Sequence, residues 1–293
     1  MTNKTTTPTM APKAGVIGWP ITHSRSPLIH GFWLNKYQLA GSYDKIPVAP
    51  ENLETFISGM RAAGFSGINV TIPHKENVLK LADKTTAEAR AIGAANTLWF
   101  EGEELIAGNT DGYGFITHLK KSAPSWSADE PAMVIGAGGA ARAIIYALMR
   151  EGVPEIILTN RTRSRAEALA ENLLKQQDLS DKDHHPIKVI DWEEKDAALS
   201  RVNLLVNTTS LGMAGNPPLE LDTAPLPPHS ICYDIVYAPL ETDLLKSARQ
   251  RGLIGVDGLG MLIHQAAPGF EKWFGKFPEV TTELTQHVID DLA

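Results

Sequence analysis

Hydrophobic positions along this chain follow two rhythms. Short apolar runs recur near residues 13–18, 43–48, 67–72, 133–135, 155–159, 187–191, 203–208, 230–236 and 254–256. Between them lie longer stretches in which apolar residues return every three or four positions, as on one face of a helix. Within 51–64, for example, Leu53, Phe56, Ile57 and Met60 share one face. Further helices are expected from Pro27 to about Gln38 and over 85–93, 112–120, 141–150, 165–175 and 280–292. Residues 94–100 and 104–107 read as a hairpin about Glu101-Gly102-Glu103. Strands alternating with helices through both halves predict an α/β architecture.

One apolar run ends differently from the rest. Met133-Val134-Ile135 passes into Gly136-Ala137-Gly138-Gly139-Ala140-Ala141 and an Ala-rich helix. This fits G-x-G-x-x-[GA] between a strand and a helix. The first glycine permits a tight turn, the second a close approach of pyrophosphate to backbone, and the third small residue close packing of helix on strand. A plain glycine turn has the same local look, so the next strand end matters. An NAD site usually places an acid there. Here the chain reads Asn160-Arg161-Thr162-Arg163-Ser164-Arg165, with no acid. Arg161 and Arg165 suit a phosphate, which favours NADP over NAD, and Arg163 is expected to be an ordinary solvated residue. The alternative for the whole stretch is a solvated basic helix start.

Length and charge narrow the class. The chain has 293 residues, enough for one large domain or two ordinary ones. Its net charge of −7 argues against a general nucleic-acid or membrane-surface binder. The lone Cys232 lies in an apolar run and excludes an intrachain disulfide. His184-His185 has no ligand-spaced partners and reads as surface, so no metal is expected. Residues 1–12 are rich in Thr and Pro, lack the apolar core of a secretory leader, and read as a disordered tail. A cytoplasmic protein without a membrane span follows as the expectation.

The first half carries the remaining chemistry. Ser24 and Ser26 flank Arg25 in a Pro-bounded loop ahead of a helix. Two readings stand side by side: Ser26 as N-cap with Pro27 at the first helical position, or two hydroxyls at a helix N-terminus that suit a carboxylate. Lys75 is expected in the first turn of a helix, where the dipole disfavours an ammonium and a nearby carboxylate would favour it. Asn69, Thr71, Asn96 and Asp111 are further polar residues at strand ends, the edge at which open α/β sheets bind ligands. Met261 and Gln265, four apart, share a helix face, and core packing is the plain alternative for Met261.

Taken together, the motifs resemble the shikimate dehydrogenase family. They are Gly18-x-Pro-Ile-x-His-Ser-x-Ser-Pro-x-x-His30, Asn69-Val-Thr-x-Pro-x-Lys75, Gly93-Ala-x-Asn96-Thr, Asn109-Thr-Asp111-Gly, Gly136-Ala-Gly-Gly-Ala140, Asn160-Arg-Thr162 and Asp257-Gly-x-Gly-Met-Leu-x-x-Gln265-Ala. They run in order through nearly the whole chain. The resemblance implies an NADP-dependent oxidoreductase acting on a CH–OH group, which reversibly reduces 3-dehydroshikimate to shikimate in aromatic amino acid biosynthesis. It implies Lys75 and Asp111 as the catalytic pair, and Ser24 and Ser26 as carboxylate ligands. Thr71, Asn96 and Gln265 would meet substrate hydroxyls, with Tyr237 nearby. Gly136, Ala137, Gly138, Gly139 and Ala140 would hold the pyrophosphate. Asn160, Arg161, Thr162 and Arg165 would hold the 2′-phosphate, and Gly258 and Met261 would line the nicotinamide.

The implied fold has two domains facing across a cleft. An N-terminal open α/β sheet domain, 13–121 plus 259–293, takes substrate, and a C-terminal Rossmann domain, 122–258, takes NADP. The protein is expected as a monomer or homodimer with a small-molecule substrate. Two departures from the family stand out, Gly31 in place of an Asn and Asp243 in place of a Pro. Alternatives are a quinate/shikimate dehydrogenase using NAD, a relative acting on an amino analogue, and a non-catalytic ligand sensor.

Overall fold

The computed structural model describes residues 11–175 and 186–292. The 1–10 stretch, the 176–185 segment with its histidine pair, and residue 293 lie outside the described residues.

The first sheet is built from β1 (Lys13–Gly18), β2 (Ser42–Pro47), β3 (Gly67–Val70), β4 (Lys84–Thr85), β5 (Thr97–Glu101) and β6 (Glu104–Gly108). Its order is β2-β1-β3-β5-β6-β4. β1 pairs in parallel with β2 and β3, whereas the expected β5–β6 hairpin is antiparallel and joins β3 antiparallel through β5. Its helices are α1 (Ser26–Lys36), α2 (Leu53–Gly59), α3 (Val78–Leu81), α4 (Ala87–Ile92) and α5 (Asp111–Ser122). Thr86 caps α4 by accepting from the Ala89 N–H at 3.2 Å, and Gly93 ends it in the left-handed conformation.

The second sheet is wholly parallel: β7 (Ala132–Ile135), β8 (Ile156–Thr159), β9 (Ile187–Val189), β10 (Leu204–Asn207), β11 (Ile231–Asp234) and β12 (Ile254–Val256). The order β12-β11-β10-β7-β8-β9 is the 3-2-1-4-5-6 arrangement of a dinucleotide fold. The residues of β7, β8, β10 and β11 are all buried, as expected of strands covered on both faces. The covering helices are α6 (Gly139–Glu151), α7 (Arg163–Lys175), α8 (Lys195–Ala198) and α9 (Asp243–Gln250). One apolar layer packs Ile144, Leu148 and Leu169 against Val134 and Val206; the other packs Leu199, Leu245 and Ala248 against Met133 and Leu205.

Two helices follow β12: α10 (Leu259–Phe274) and α11 (Thr282–Leu292). Ile263, Ala267 and Phe270 of α10 and Leu284 and Val288 of α11 pack with Ile29 and Trp33 of α1. The Trp273 indole of α10 donates to the Leu98 carbonyl of β5 at 2.9 Å.

Three local expectations need correction. The expected 51–64 helix is shorter: a 3-10 turn at Pro50–Asn52 leads into α2, and residues 60–64 leave the helix through turns that end on Gly64 at φ +77°. The strand expected up to the Ile72–Pro73 bond stops at Val70. Lys75 lies in the turns between β3 and α3, not in a first helical turn, because His74 N and Asn77 N bond the Thr71 and His74 carbonyls. The argument from helix dipole at Lys75 therefore falls away.

Candidate active site

A cleft of about 410 Å³ opens where the C-terminal edge of the first sheet faces the β11 loop and the start of α10. Ser24, Ser26, Thr71, Lys75, Asn96, Asp111, Tyr237, Gly258, Met261 and Gln265 all line it. Residues from both ends of the chain thus meet around one space.

The centre of the cleft is an ion pair. Lys75 Nζ donates to Asp111 Oδ2 at 2.6 Å. The lysine side chain is one-fifth exposed and the aspartate nearly buried, so the ammonium faces the cleft and the carboxylate lies behind it. Asp111 opens α5, but Thr110 occupies the cap position and no side chain caps the helix. The Asp111 carboxylate is therefore free of capping duty. Its second oxygen, Oδ1, accepts from Asn96 Nδ2 at 2.8 Å, while its backbone N–H bonds Asn109 Oδ1 at 3.0 Å. Asn96 also donates to Thr110 Oγ1 and to Gln265 Oε1, at 3.0 and 3.2 Å. One amide links Asp111 on α5 to Gln265 on α10. Thr110 Oγ1 strengthens that link by donating to the Gln265 carbonyl at 2.8 Å.

The serine loop sits at the other end of the cleft. Ser26 is the first residue of α1 and Arg25 its cap, so the N-cap expected at Ser26 is displaced by one residue. Pro27 takes the second helical position, which its missing N–H permits. Ser24 Oγ accepts from the Ser26 N–H at 3.3 Å. The first turn of α1 carries no acidic residue, so nothing there competes for the partial positive charge of the helix end.

Across the cleft, Tyr237 follows β11 in a loop tied down by a buried carboxylate. Asp234 accepts from Asn207 Nδ2, Val236 N and Thr242 Oγ1 at 3.0, 3.1 and 2.7 Å. Burial pushes the Asp234 pKa up, and the three donors oppose it. Burial also raises the Tyr237 phenol, with the Arg25 charge opposing.

The glycine turn and the arginine stretch lie apart from the cleft residues, on the edge of the second sheet. Gly136 sits at φ +112°, and a Cβ there would lie 2.5 Å from Thr208 Oγ1 at the junction of β7 and β10. Among the described residues no side chain caps α6, and no other segment comes within 4 Å of where a Cβ would stand on Gly138 or Gly139. The free N–H groups of α6 thus face open space of the kind a pyrophosphate fills. Asn160 Nδ2 closes the next turn on the Thr162 carbonyl at 2.9 Å. Arg163 pairs with Glu167 and Asp191, each at 2.8 Å. Arg161 and Arg165 are exposed and form no ion pair among the described residues. This donor set fits a dinucleotide carrying a ribose phosphate.

The cleft contains residues to which the sequence assigned no particular role. Asn69 is buried: its Oδ1 accepts from Tyr43 OH at 2.6 Å, and its Nδ2 donates to the Asn96 carbonyl at 3.0 Å. Its place at the end of β3 was the available clue. Arg25 lines the cleft between the two serines, and its charged type in a serine loop was the clue there. Ile72, 70% exposed, and Ile235 supply apolar walls.

Known proteins bear on this geometry. Residues 16–98 match the shikimate dehydrogenase substrate binding domain, 118–210 the shikimate / quinate 5-dehydrogenase family, and 258–281 the shikimate 5′-dehydrogenase C-terminal domain. A shikimate dehydrogenase (NADP(+)) of Paracoccus denitrificans is 50% identical over 285 residues, covering 97% of this chain and 98% of the relative. A crystal structure of a shikimate dehydrogenase with NADP+ superposes with a TM-score of 0.88 at 35% identity, over 97% of this chain and 96% of that one. The Thermus thermophilus enzyme, solved with NADP(H) and shikimate, gives 0.82 at 34% identity, over 96% of this chain and 100% of its own. By these likenesses, and by the residues gathered in its cleft, the chain belongs to the shikimate dehydrogenase family.

Proposed function

We propose that this chain catalyses the reversible NADPH-dependent reduction of 3-dehydroshikimate to shikimate, with Lys75 and Asp111 as the acid–base pair. The observation that carries the proposal is the 2.6 Å Lys75–Asp111 contact in a cleft that also holds Ser24 and Ser26. NADP, held by the Gly136–Ala140 turn and by Asn160, Arg161, Thr162 and Arg165, supplies or accepts the hydride when bound. Everything else falls to the chain's own groups.

Ser24 and Ser26 bind the substrate carboxylate at the N-terminus of α1. Thr71, Asn96 and Gln265 take the ring hydroxyls, and Tyr237 closes over the ring from the far side. Lys75 Nζ bonds the C3 oxygen, stabilises the charge that develops there, and delivers a proton to it. Asp111 holds that ammonium in place and is held itself by Asn96. In the reverse direction the same nitrogen receives the proton. Gly258 and Met261, which line the cleft, would lie beside the nicotinamide.

The division into a substrate domain of 13–121 plus 259–293 and an NADP domain of 122–258 belongs to the same proposal. Packing of α10 and α11 on α1 supports it. A monomer or homodimer in the cytoplasm completes it; no helix among the described residues is long and apolar enough to cross a membrane. The quinate and NAD alternative is disfavoured by Arg161 and Arg165 beyond β8, which form no ion pair among the described residues. The deciding experiment is a spectrophotometric assay of shikimate with NADP, then of quinate with NAD. Turnover of the first pair well above the second is expected. Preference for the second, or no turnover with either, would overturn the proposal.

A further inference from the structure

Arg25 is a cation that the chemistry above does not use. It sits between Ser24 and Ser26, lines the cleft, and occupies the position before α1 without capping it through its side chain. Its side chain is about one-quarter exposed. Its partner comes from the far end of the chain: Arg25 Nε lies 2.7 Å from Asp291 Oδ2, and Arg25 Nη2 donates to the Asp291 carbonyl at 3.4 Å. Asp291 belongs to α11, whose Leu284 and Val288 are fully buried in the layer that includes Ile29 and Trp33 of α1. The anchor for the arginine is therefore a packed helix.

Charge makes the placement meaningful. The chain as a whole carries −7, a field that repels a carboxylate. Of the cleft's lysine and arginine residues, Lys75 is committed to Asp111 at the reacting end. Arg25 is the other, and it lies at the serine end, where the uncapped start of α1 adds partial positive charge. A planar guanidinium suits a carboxylate better than a point charge does. Its field also reaches Tyr237 on the opposite wall, where it opposes the upward push of burial on the phenol.

We propose that Arg25 is a specificity-determining residue for the substrate carboxylate, and that Asp291 positions it, which makes α11 a working part of the substrate site. The inference rests on the proposed function, since it takes the serine loop as the carboxylate end. Asp291 does not touch substrate; it fixes the guanidinium at the rim of the loop so that the cation is in place before the anion arrives.

The test is steady-state kinetics with shikimate and NADP on Arg25→Leu, Arg25→Lys, Asp291→Asn and the Arg25→Leu/Asp291→Asn pair. Arg25→Leu should raise the KM for shikimate by about fivefold or more, leave kcat within about twofold and leave the KM for NADP unchanged. Arg25→Lys should recover part of the loss. Asp291→Asn should raise the same KM by roughly two- to threefold, and the double variant should be no worse than Arg25→Leu alone, because the two act as one unit. At saturating NADP, added KCl should raise the wild-type KM for shikimate, and that dependence should flatten in Arg25→Leu.

A shikimate KM in Arg25→Leu within twofold of wild type would overturn the role of Arg25, as would an equal rise in the KM for NADP. An unchanged or lowered KM in Asp291→Asn would overturn the role of α11. Wild-type protein that fails to turn over shikimate fails the functional proposal itself; wild-type turnover with an unchanged Arg25→Leu variant fails this inference alone.

Discussion

Taking away the Lys75 ammonium would leave the Asp111 carboxylate nearly buried with Asn96 as its remaining side-chain donor. On the proposed roles, shikimate would still meet the serines and the amides, so binding would survive while proton delivery would not. Lys75→Ala should lower kcat by about 10²–10⁴-fold and change the KM for shikimate far less, measured in both directions. A large rise in KM with kcat intact would make Lys75 a binding group. His30 gives a second test, of stability. It is fully buried and stacked on Tyr43 with ring centroids 3.9 Å apart. Burial pushes its pKa down to about 3, with Asn69 opposing. Below its ordinary value of 6.5, the unfolded chain binds a proton that the folded chain refuses. Stability is therefore fully present above that value and is lost as pH falls towards about 3, at about 1.4 kcal/mol per pH unit. His30→Phe keeps a stacked ring that cannot charge. Urea unfolding at pH 7.5 and 5 should show a pH-dependent loss smaller by about 2 kcal/mol in the variant. An equal loss in both proteins would refute it. The Lys75–Asp111 pairing was legible only through the family resemblance, and the stacking of His30 on Tyr43 was not legible at all. Lys75 and Asp111 stand on different elements, and the sequence placed Lys75 in a helix that begins three residues later, at Val78. Their polar character at strand ends was legible; their 2.6 Å contact was not.

Elements were more legible than contacts, because their periodicity is local. The β7–α6 turn follows from its glycines, and the junction of β8 and α7 follows from the change of rhythm after Thr159. That junction also sorts its three arginines. Arg163 is engaged by Glu167, one helical turn on, and by Asp191 after β9. The first partner is readable as an i,i+4 pair, whereas the second depends on β9 lying beside β8. Arg161 and Arg165 are left to face solvent at the start of α7. Replacing both with Leu should raise the KM for NADP by about tenfold or more while sparing NAD, since only the 2′-phosphate distinguishes the two. Arg163→Leu should leave that preference unchanged. Equal loss for NADP and NAD in the double variant would remove the phosphate site from this junction. Where local pattern was ambiguous, the elements came out shorter than expected. α2 and α3 are brief because turns at 60–64 and 71–77 take up the backbone donors that longer helices would use.

At the scale of the whole molecule, the cleft exists because α5, which precedes the second sheet, packs on α10, which follows it. No periodicity announces that pairing, since it joins residues about half the chain apart. The return of α10 to the first sheet was legible only through the family resemblance. The contact is close because of Gly114. A Cβ there would stand 2.7 Å from the Met261 carbonyl oxygen and from Gln265 Cβ, and 2.8 Å from the Gln265 N–H nitrogen. Two of those atoms are backbone, so the helices must separate to admit a methyl group. Asp111 lies one turn before Gly114 on α5, and Gln265 and Met261 lie on α10, so separation would stretch the Asn96 amide that now links Asp111 to Gln265. Gly114→Ala should therefore lower kcat and raise the KM for shikimate together, by about tenfold in kcat/KM, because misplacement affects orientation as well as binding. Gly31 supplies the control. A Cβ on it meets nothing within 4 Å, so Gly31→Ala should keep wild-type kinetics despite the departure from the family at that position. Thermal unfolding of both variants separates misplacement from collapse: Gly114→Ala should remain folded at assay temperature with its kinetics impaired. Unimpaired kinetics in Gly114→Ala would mean that α5 and α10 can part without disturbing the reacting pair.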